Sequence, residues 1–545
     1  MPGNQWPEFV AEVETGGSAR ARLTPEAAEL TPWHARYTLD VEAPTGAGTA
    51  VVVTLRIACV RAWYLSAARR LTPVESAVRP PFPVGRFVVV QAPEGFFQVR
   101  APWGGHFELE KKGGAVGLRS VVVDRRRCGL VRWGANKLET APRRMSLDVV
   151  WDRLGSPEEC LWVEPYPGGA PAAICLTDHC DFDTAGGVQS LADLFERAGW
   201  LFTKSVFPRG EPKPGKNETG LDTPAYAMQI DRLCEQGTEI AFHGFGPRVD
   251  CPPPEECARR AQVMERYRPA TWIDHGAGSY LFSRSARLPD GRPLVEFLSP
   301  MGIVNYWSYV DLWKNPFTDL CIWSRRRRWD IPAEAVAALS RGAAWKGMLH
   351  PMINLIGAEA AGQLRRRPMN GNSWMMAWQG LRMQPAMEGS LALYGADGAA
   401  YDCSSGPVRI FDTLLLNYPA LQMAPPLIDR LCAGSGLLLA HTYLCRPQGR
   451  GGCLAAGNGR ATVTPEWTAA VNYVAQKQHC GELATVSFAG LRRALEAAAG
   501  ATLRREPWGW TIEAGGQGPL WVAGFRGGLG RLQVPAGSRA GVRLS

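Results

Sequence analysis

The feature that most limits what this chain can fold into is a change of rhythm near Ala172. Before it, apolar runs follow one another as strands. After it, apolar strands alternate with amphipathic helices as far as Gly500, which argues for an α/β layer or barrel. The strand AAICLT precedes a helix with Leu191, Leu194, Phe195 and Ala198 on one face. The strand LFTKSVF follows, and then Thr223-Pro224 open a helix as N-cap and first-turn proline. That helix turns Tyr226, Ile230 and Leu233 inward, and Gly237 closes it. The strand EIAFHG comes next, then a helix carrying Cys257, Ala261 and Met264, then the strand ATWIDHG. Later strands are GIVNYW, the very apolar GLLLAHTYL, and ELATVSF leading into a helix with Leu491 and Leu495.

The flanks read differently. AVVVTLRIACV, GRFVVVQAP, FFQVRAP and LRSVVVDRR are β-branched segments bounded by turn residues, so residues 1–160 are expected to form a β-rich, sandwich-like accessory domain. Residues 161–500 are the α/β unit, and 501–545 a C-terminal β-rich segment with four short strands. The Trp- and Met-rich stretch within about 325–405 fits neither pattern and is read as an insertion or lid. A chain of 545 residues has room for this division, and its 60 Gly and 42 Pro suit many turns.

The net charge of +9 is small for this length, and much of it sits in Arg125–Arg127 and Arg325–Arg328. Such clusters suit phosphate or an anionic polysaccharide, but a solvated face is the stronger reading, and no nucleic-acid motif accompanies them. The 14 cysteines are scattered without a CxxC pair. No signal-peptide pattern and no membrane-spanning stretch is visible, so a cytoplasmic protein is expected.

Four of the eight histidines fall at predicted strand ends or just after: His179 in LTDHCDFD, His243 in EIAFHG, His275 in WIDHG and His441 in LLLAH. In a parallel β/α barrel these ends converge on one face, where catalytic groups gather. Asp178, Asp181, Asp183 and Asp274 lie beside them. Neutral imidazoles and a carboxylate bind zinc or a similar divalent ion, whose bound water is acidified and which polarises a carbonyl. A second carboxylate serves as base, and a separate histidine protonates a leaving amine. The set suits hydrolysis of an amide or ester. His34, His106, His350 and His479 have no such setting.

The order of these elements resembles the polysaccharide deacetylase (NodB-homology) family. The likeness rests on ICLTDHCDFDT, on AYAMQIDRLCEQGTEIAFHG, on GLLLAHTYL and on ELATVSFAGL, and covers about 330 residues. It implies a distorted (β/α)7 barrel and a metal-dependent carbohydrate deacetylase acting on a C–N amide bond. Asp178 resembles the catalytic base, Asp181 the metal-binding aspartate, His243 the first metal histidine and His441 the late histidine that acts on the leaving group. His179 and Asp183 are alternatives for the ligand at the first motif. Where the family places a second histidine four residues after the first, this chain has Pro247. His275 is expected to supply that ligand, and His179, Asp183 and Asp274 to act as second-sphere partners if they are not ligands.

The expected function is therefore removal of an acetyl group from an N-acetylated sugar or polysaccharide, with a divalent metal, expected to be zinc, as cofactor and a carbohydrate as partner. The alternative is a barrel that binds carbohydrate without cleaving it, favoured by Pro247 and by 20 Trp that offer stacking faces. A glycoside hydrolase ranks third, because it needs a carboxylate pair that the sequence does not reveal.

Overall fold

The computed structural model describes residues 6–43, 50–74, 87–100, 108–124, 143–273, 294–312 and 402–543. Within these it leaves out 8, 16–20, 24–25, 66–69, 113–114, 165, 212–218, 248–251, 404–405, 408, 417–418, 434–435, 449–451, 456–460, 516–517 and 526–530. The fold is mixed α/β. Two antiparallel sheets form the N-terminal part, a curled parallel sheet flanked by helices follows, and short antiparallel sheets carry the C-terminal tail. The expected insertion lies outside the described residues except for 402–403, as do both arginine clusters, His106 and His350.

The parallel sheet grows from the alternation seen in the sequence. Its first strand, β1 (Ala172–Asp178), is buried at every position. Helix α1 (Ala185–Ala198) follows, with the Thr184 hydroxyl accepting from the Gly187 amide at its start and Gly199 ending it at φ 59°. Leu191, Leu194 and Phe195 are buried, as their spacing predicts. Then come β2 (Thr203–Val206), α2 (Pro224–Glu235), β3 (Glu239–His243), α3 (Pro254–Met264), β4 (Thr271–Ile273) and β5 (Asn305–Leu312). Strands β6 (Arg409–Leu415), β7 (Leu437–Thr442) and β8 (Leu483–Thr485) complete the sheet. Its order is β2-β3-β4-β5-β6-β7-β1-β8, every pairing is parallel, and β1 also pairs with β2 at Thr177 and Asp178. The sheet therefore curls until its first strand touches both β7 and β2. Continuously apolar strands such as β7 can exist only with both faces covered. Each fully buried leucine there contributes about 1.5–3 kcal/mol relative to exposure.

The N-terminal strands pair in two antiparallel sheets of five and seven strands. Ala11, Leu55 and Val116 of one sheet share a core with Leu39, Val88, Val99 and Trp151 of the other, the arrangement of a sandwich. Among its described residues the C-terminal tail has five strands where four were expected, because Thr502–Glu506 joins the sheet of Gly509–Glu513 and Arg539–Arg543. Its charged sequence TLRRE conceals the strand, since the Arg505 guanidinium is buried against Glu159 at 3.1 Å. The tail does not stand apart. Leu503, Trp510, Ile512 and Val522 pack with Phe87, Val89 and Leu154 of the N-terminal part, and Leu520–Gly524 pairs with Leu161–Glu164. Asp152 anchors the junction, bonding His34 Nδ1 at 2.8 Å, Arg100 Nη2 at 2.6 Å and the Arg505 amide at 3.3 Å. Among the described residues no helix is long and apolar enough to cross a membrane.

Candidate metal centre

Parallel strands aim their last side chains at one end of the sheet. The residues after β1, at the end of β3 and at the end of β7 meet there. His179 follows β1, and its amide donates to the Thr442 carbonyl at 2.9 Å, which seats it beside the end of β7. Asp181 follows in the same short loop. His243 closes β3, with Nε2 3.1 Å from Asp181 Oδ2. One donor atom from each of His179, Asp181 and His243 lies within 4.8 Å of the others, and all three residues are buried.

Aromatic rings fix these groups. His179 stacks on His441 with ring centres 3.6 Å apart, and meets His243 edge-on at 4.7 Å and Trp307 at 4.9 Å. His243 stacks on Phe207 at 5.0 Å. His441 also contacts Tyr443 at 4.6 Å. At the rim, half-buried Phe182 and Tyr443 lie under the Arg446 guanidinium, 4.9 Å and 4.4 Å from it.

Burial, with the neighbouring His441 and His243 rings, holds the His179 imidazole well below the usual histidine range and so keeps it neutral. Its Nε2 is buried and has no hydrogen-bond partner among the described residues. A buried neutral imidazole nitrogen of this kind, a second imidazole and a carboxylate are the donor set of a catalytic zinc site that keeps a position open for water. The residues fit a divalent ion.

A second cluster lies beneath the first. Lys204 of β2, buried, places Nζ 2.5 Å from Asp178 Oδ2 and 2.9 Å from Asp183 Oδ1. Asp178 Oδ1 accepts from the Leu444 amide at 2.7 Å and the Thr442 hydroxyl at 3.1 Å, and Asp183 Oδ2 accepts from the Tyr226 hydroxyl at 2.7 Å. Burial alone would lower the ammonium's pKa, but the two carboxylates outweigh it and hold Lys204 charged, well above the usual lysine range.

The structure thus brings together Asp181 and His243, both expected as ligands. It adds His179, expected as an alternative ligand at the first motif or as a second-sphere partner, to the same donor group. His441 stands against His179. Asp178, expected as the base, has both oxygens engaged by Lys204, Thr442 and Leu444, and Asp183 shares the same ammonium. His275 and Asp274 lie outside the described residues. Sequence reasoning missed Lys204, Tyr226 and Trp307. Lys204 carried one signal, a lone charge inside the apolar strand LFTKSVF, where a lysine is rarely buried unless paired.

No family model matches the chain, and no curated protein matches it. Among solved structures, one similar chain is a glycoside hydrolase family 97 enzyme from Pseudoalteromonas sp. strain K8. It is 8% identical over 56% of this chain and 59% of that chain, so the match spans about three fifths of that enzyme, at a TM-score of 0.19. Another is a GH31 family sulfoquinovosidase from E. rectale, 8% identical over 71% of this chain and 79% of that chain, with a TM-score of 0.21. Likeness this slight establishes neither fold nor activity, and function has to be argued from the residues.

Proposed function

We propose that this chain is a metal-dependent hydrolase that removes an acetyl group from an N-acetylated sugar or polysaccharide. The observation that carries the reading is the meeting of His179, Asp181 and His243 donor atoms within 4.8 Å, with His441 stacked against them. The pairing of β1 with both β2 and β7 supports a distorted (β/α)7 barrel, and the motifs at the ends of β1, β3 and β7 support a divergent member of the polysaccharide deacetylase family. His179, Asp181 and His243 would hold the ion, in our reading zinc. When bound, such an ion acidifies a water and polarises the acyl carbonyl.

The chain's own residues supply the rest. His179 stays neutral and so offers a lone pair. To His441, stacked on His179 and next to the half-buried Tyr443, we assign the uptake of a proton and its return to the leaving amine. Asp178 is tied to Lys204, so we assign it to holding the loop rather than to moving the proton. Phe182 and Tyr443 offer flat faces at the rim, as sugar rings require. The engaged Asp178 also favours a second reading, in which the barrel binds carbohydrate without cleaving it.

The test is acetate release from acetylated chito-oligosaccharides by protein purified without chelators, alongside its metal content. About one ion per chain and acetate release that a chelator abolishes are expected. An ion-loaded protein that binds the oligosaccharide but releases no acetate selects the second reading. Failure to bind any divalent metal after reconstitution would rule out the first.

A further inference from the structure

The cluster around Lys204 uses an unusual amount of buried charge, and its position explains why. Asp178 and Asp183 bracket the loop that presents His179 and Asp181. One ammonium, 2.5 Å from Asp178 and 2.8 Å from Asp183, grips both ends of that loop. The far oxygen of Asp178 reaches across to Leu444 and Thr442, just past His441, and Asp183 is tied to α2 through Tyr226. Through Asp178 and Asp183 the ammonium thus joins the loop that carries His179 and Asp181 to the segment just past His441 and to α2.

We infer that Lys204 is a positioning residue that pins the His179–Asp181 loop and the end of β7 into the geometry of the metal centre. The inference rests on the proposed metal centre for its purpose, but the pinning itself can be measured without metal. Two carboxylates of like charge would drive each other apart without the ammonium between them, and each would lose a buried partner. The loop would then leave its seat while the rest of the sheet, held by apolar packing, stayed in place.

The experiment is hydrogen exchange on the metal-free full chain, comparing wild type with Lys204→Met. Exchange in peptides covering 176–184 and 440–446 should rise at least about tenfold, with 149–154 and 465–479 unchanged, as expected when only a local unit opens. Cobalt affinity should fall by about 10–100-fold, the usual effect of removing a group that orients ligands. A Lys204→Met/Asp178→Asn variant should recover part of both, because only one carboxylate is left to accommodate. Should Lys204→Met fail to fold, Tyr226→Phe loosens the Asp183 end alone and should speed exchange in 179–184. Unchanged exchange in those peptides, in a folded Lys204→Met or in Tyr226→Phe, overturns the inference. Wild-type protein that takes up no cobalt counts against the metal centre, while the exchange data still decide the role of Lys204.

Discussion

Replacing His179 with alanine tests the member of the donor group whose role the sequence left open. The three donors lie within 4.8 Å, and Asp181 Oδ2 is already 3.1 Å from His243 Nε2. A tetrahedral zinc with donors at about 2.1 Å spaces them about 3.4 Å apart, so the trio needs only small side-chain shifts to close on an ion. At a zinc concentration about 100 times Kd, binding stabilises the folded chain by about 2.7 kcal/mol. Losing one of three protein ligands should weaken binding by about 100-fold or more, at least the upper end of what losing an outer-sphere partner costs. At the same zinc concentration the stabilisation then falls to about 0.4 kcal/mol, a loss of about 2.3 kcal/mol. The cavity left by the imidazole is present with and without zinc, so it cancels in this difference. Urea denaturation followed by tryptophan fluorescence, with zinc and with chelator, measures it. His275→Ala is the companion variant, because His275 is expected from the sequence to supply the ligand missing at Pro247. Full zinc stabilisation in His179→Ala would refute the assignment of His179.

Two further variants probe the acid–base group and the junction. His441→Gln should lower kcat on an acetylated oligosaccharide by about 10²–10⁴-fold while leaving zinc-induced stabilisation in place, since it removes a proton carrier but no ligand. Asp152→Ala should cost about 3 kcal/mol in urea denaturation, the low end for breaking a buried pair, because the Arg100 side chain is 14% exposed. Burial works to raise the Asp152 carboxyl, but Arg100 and His34 outweigh it and hold it below the usual aspartate range. A depressed folded pKa means its stabilisation is present above the unfolded value and is lost as pH falls through the folded one. The gap between wild type and variant should therefore be full at neutral pH and close only below about pH 4.

The fold was legible wherever a residue's spacing alone decides its surroundings. The apolar periodicity of α1, α2 and α3 identified Leu191, Leu194, Phe195, Ala198, Tyr226, Ile230, Leu233, Cys257, Ala261 and Met264, and all are buried except Ala198, which is partly buried at the helix end. Helix punctuation was equally direct, because Pro224 in a first turn and Gly237 at φ 89° are consequences of local sterics. Thr502–Glu506 was not legible. A strand with three charged residues in five reads as surface until the partner that buries Arg505, some 346 residues away in sequence, is known.

The site divides along the same line. His179, Asp181, His243 and His441 could be chosen from the sequence because they sit at the ends of recognisable strands, and strand ends converge in any parallel sheet. Which of them bring their donor atoms together could not, because that depends on how far β1 and β3 are staggered. The role of Asp178 turns on a still longer-range fact. An aspartate beside a histidine at a strand end reads as a base until Lys204, on the neighbouring strand, is found 2.5 Å away. The lysine's position in LFTKSVF was visible, but its partner followed only from the pairing of Asp178 with Lys204 across β1 and β2, a register that no local pattern encodes. The same pairing curls the sheet and sets the ammonium against the loop, so in this chain the contact that curls the sheet also seats a buried ion pair beside the candidate site.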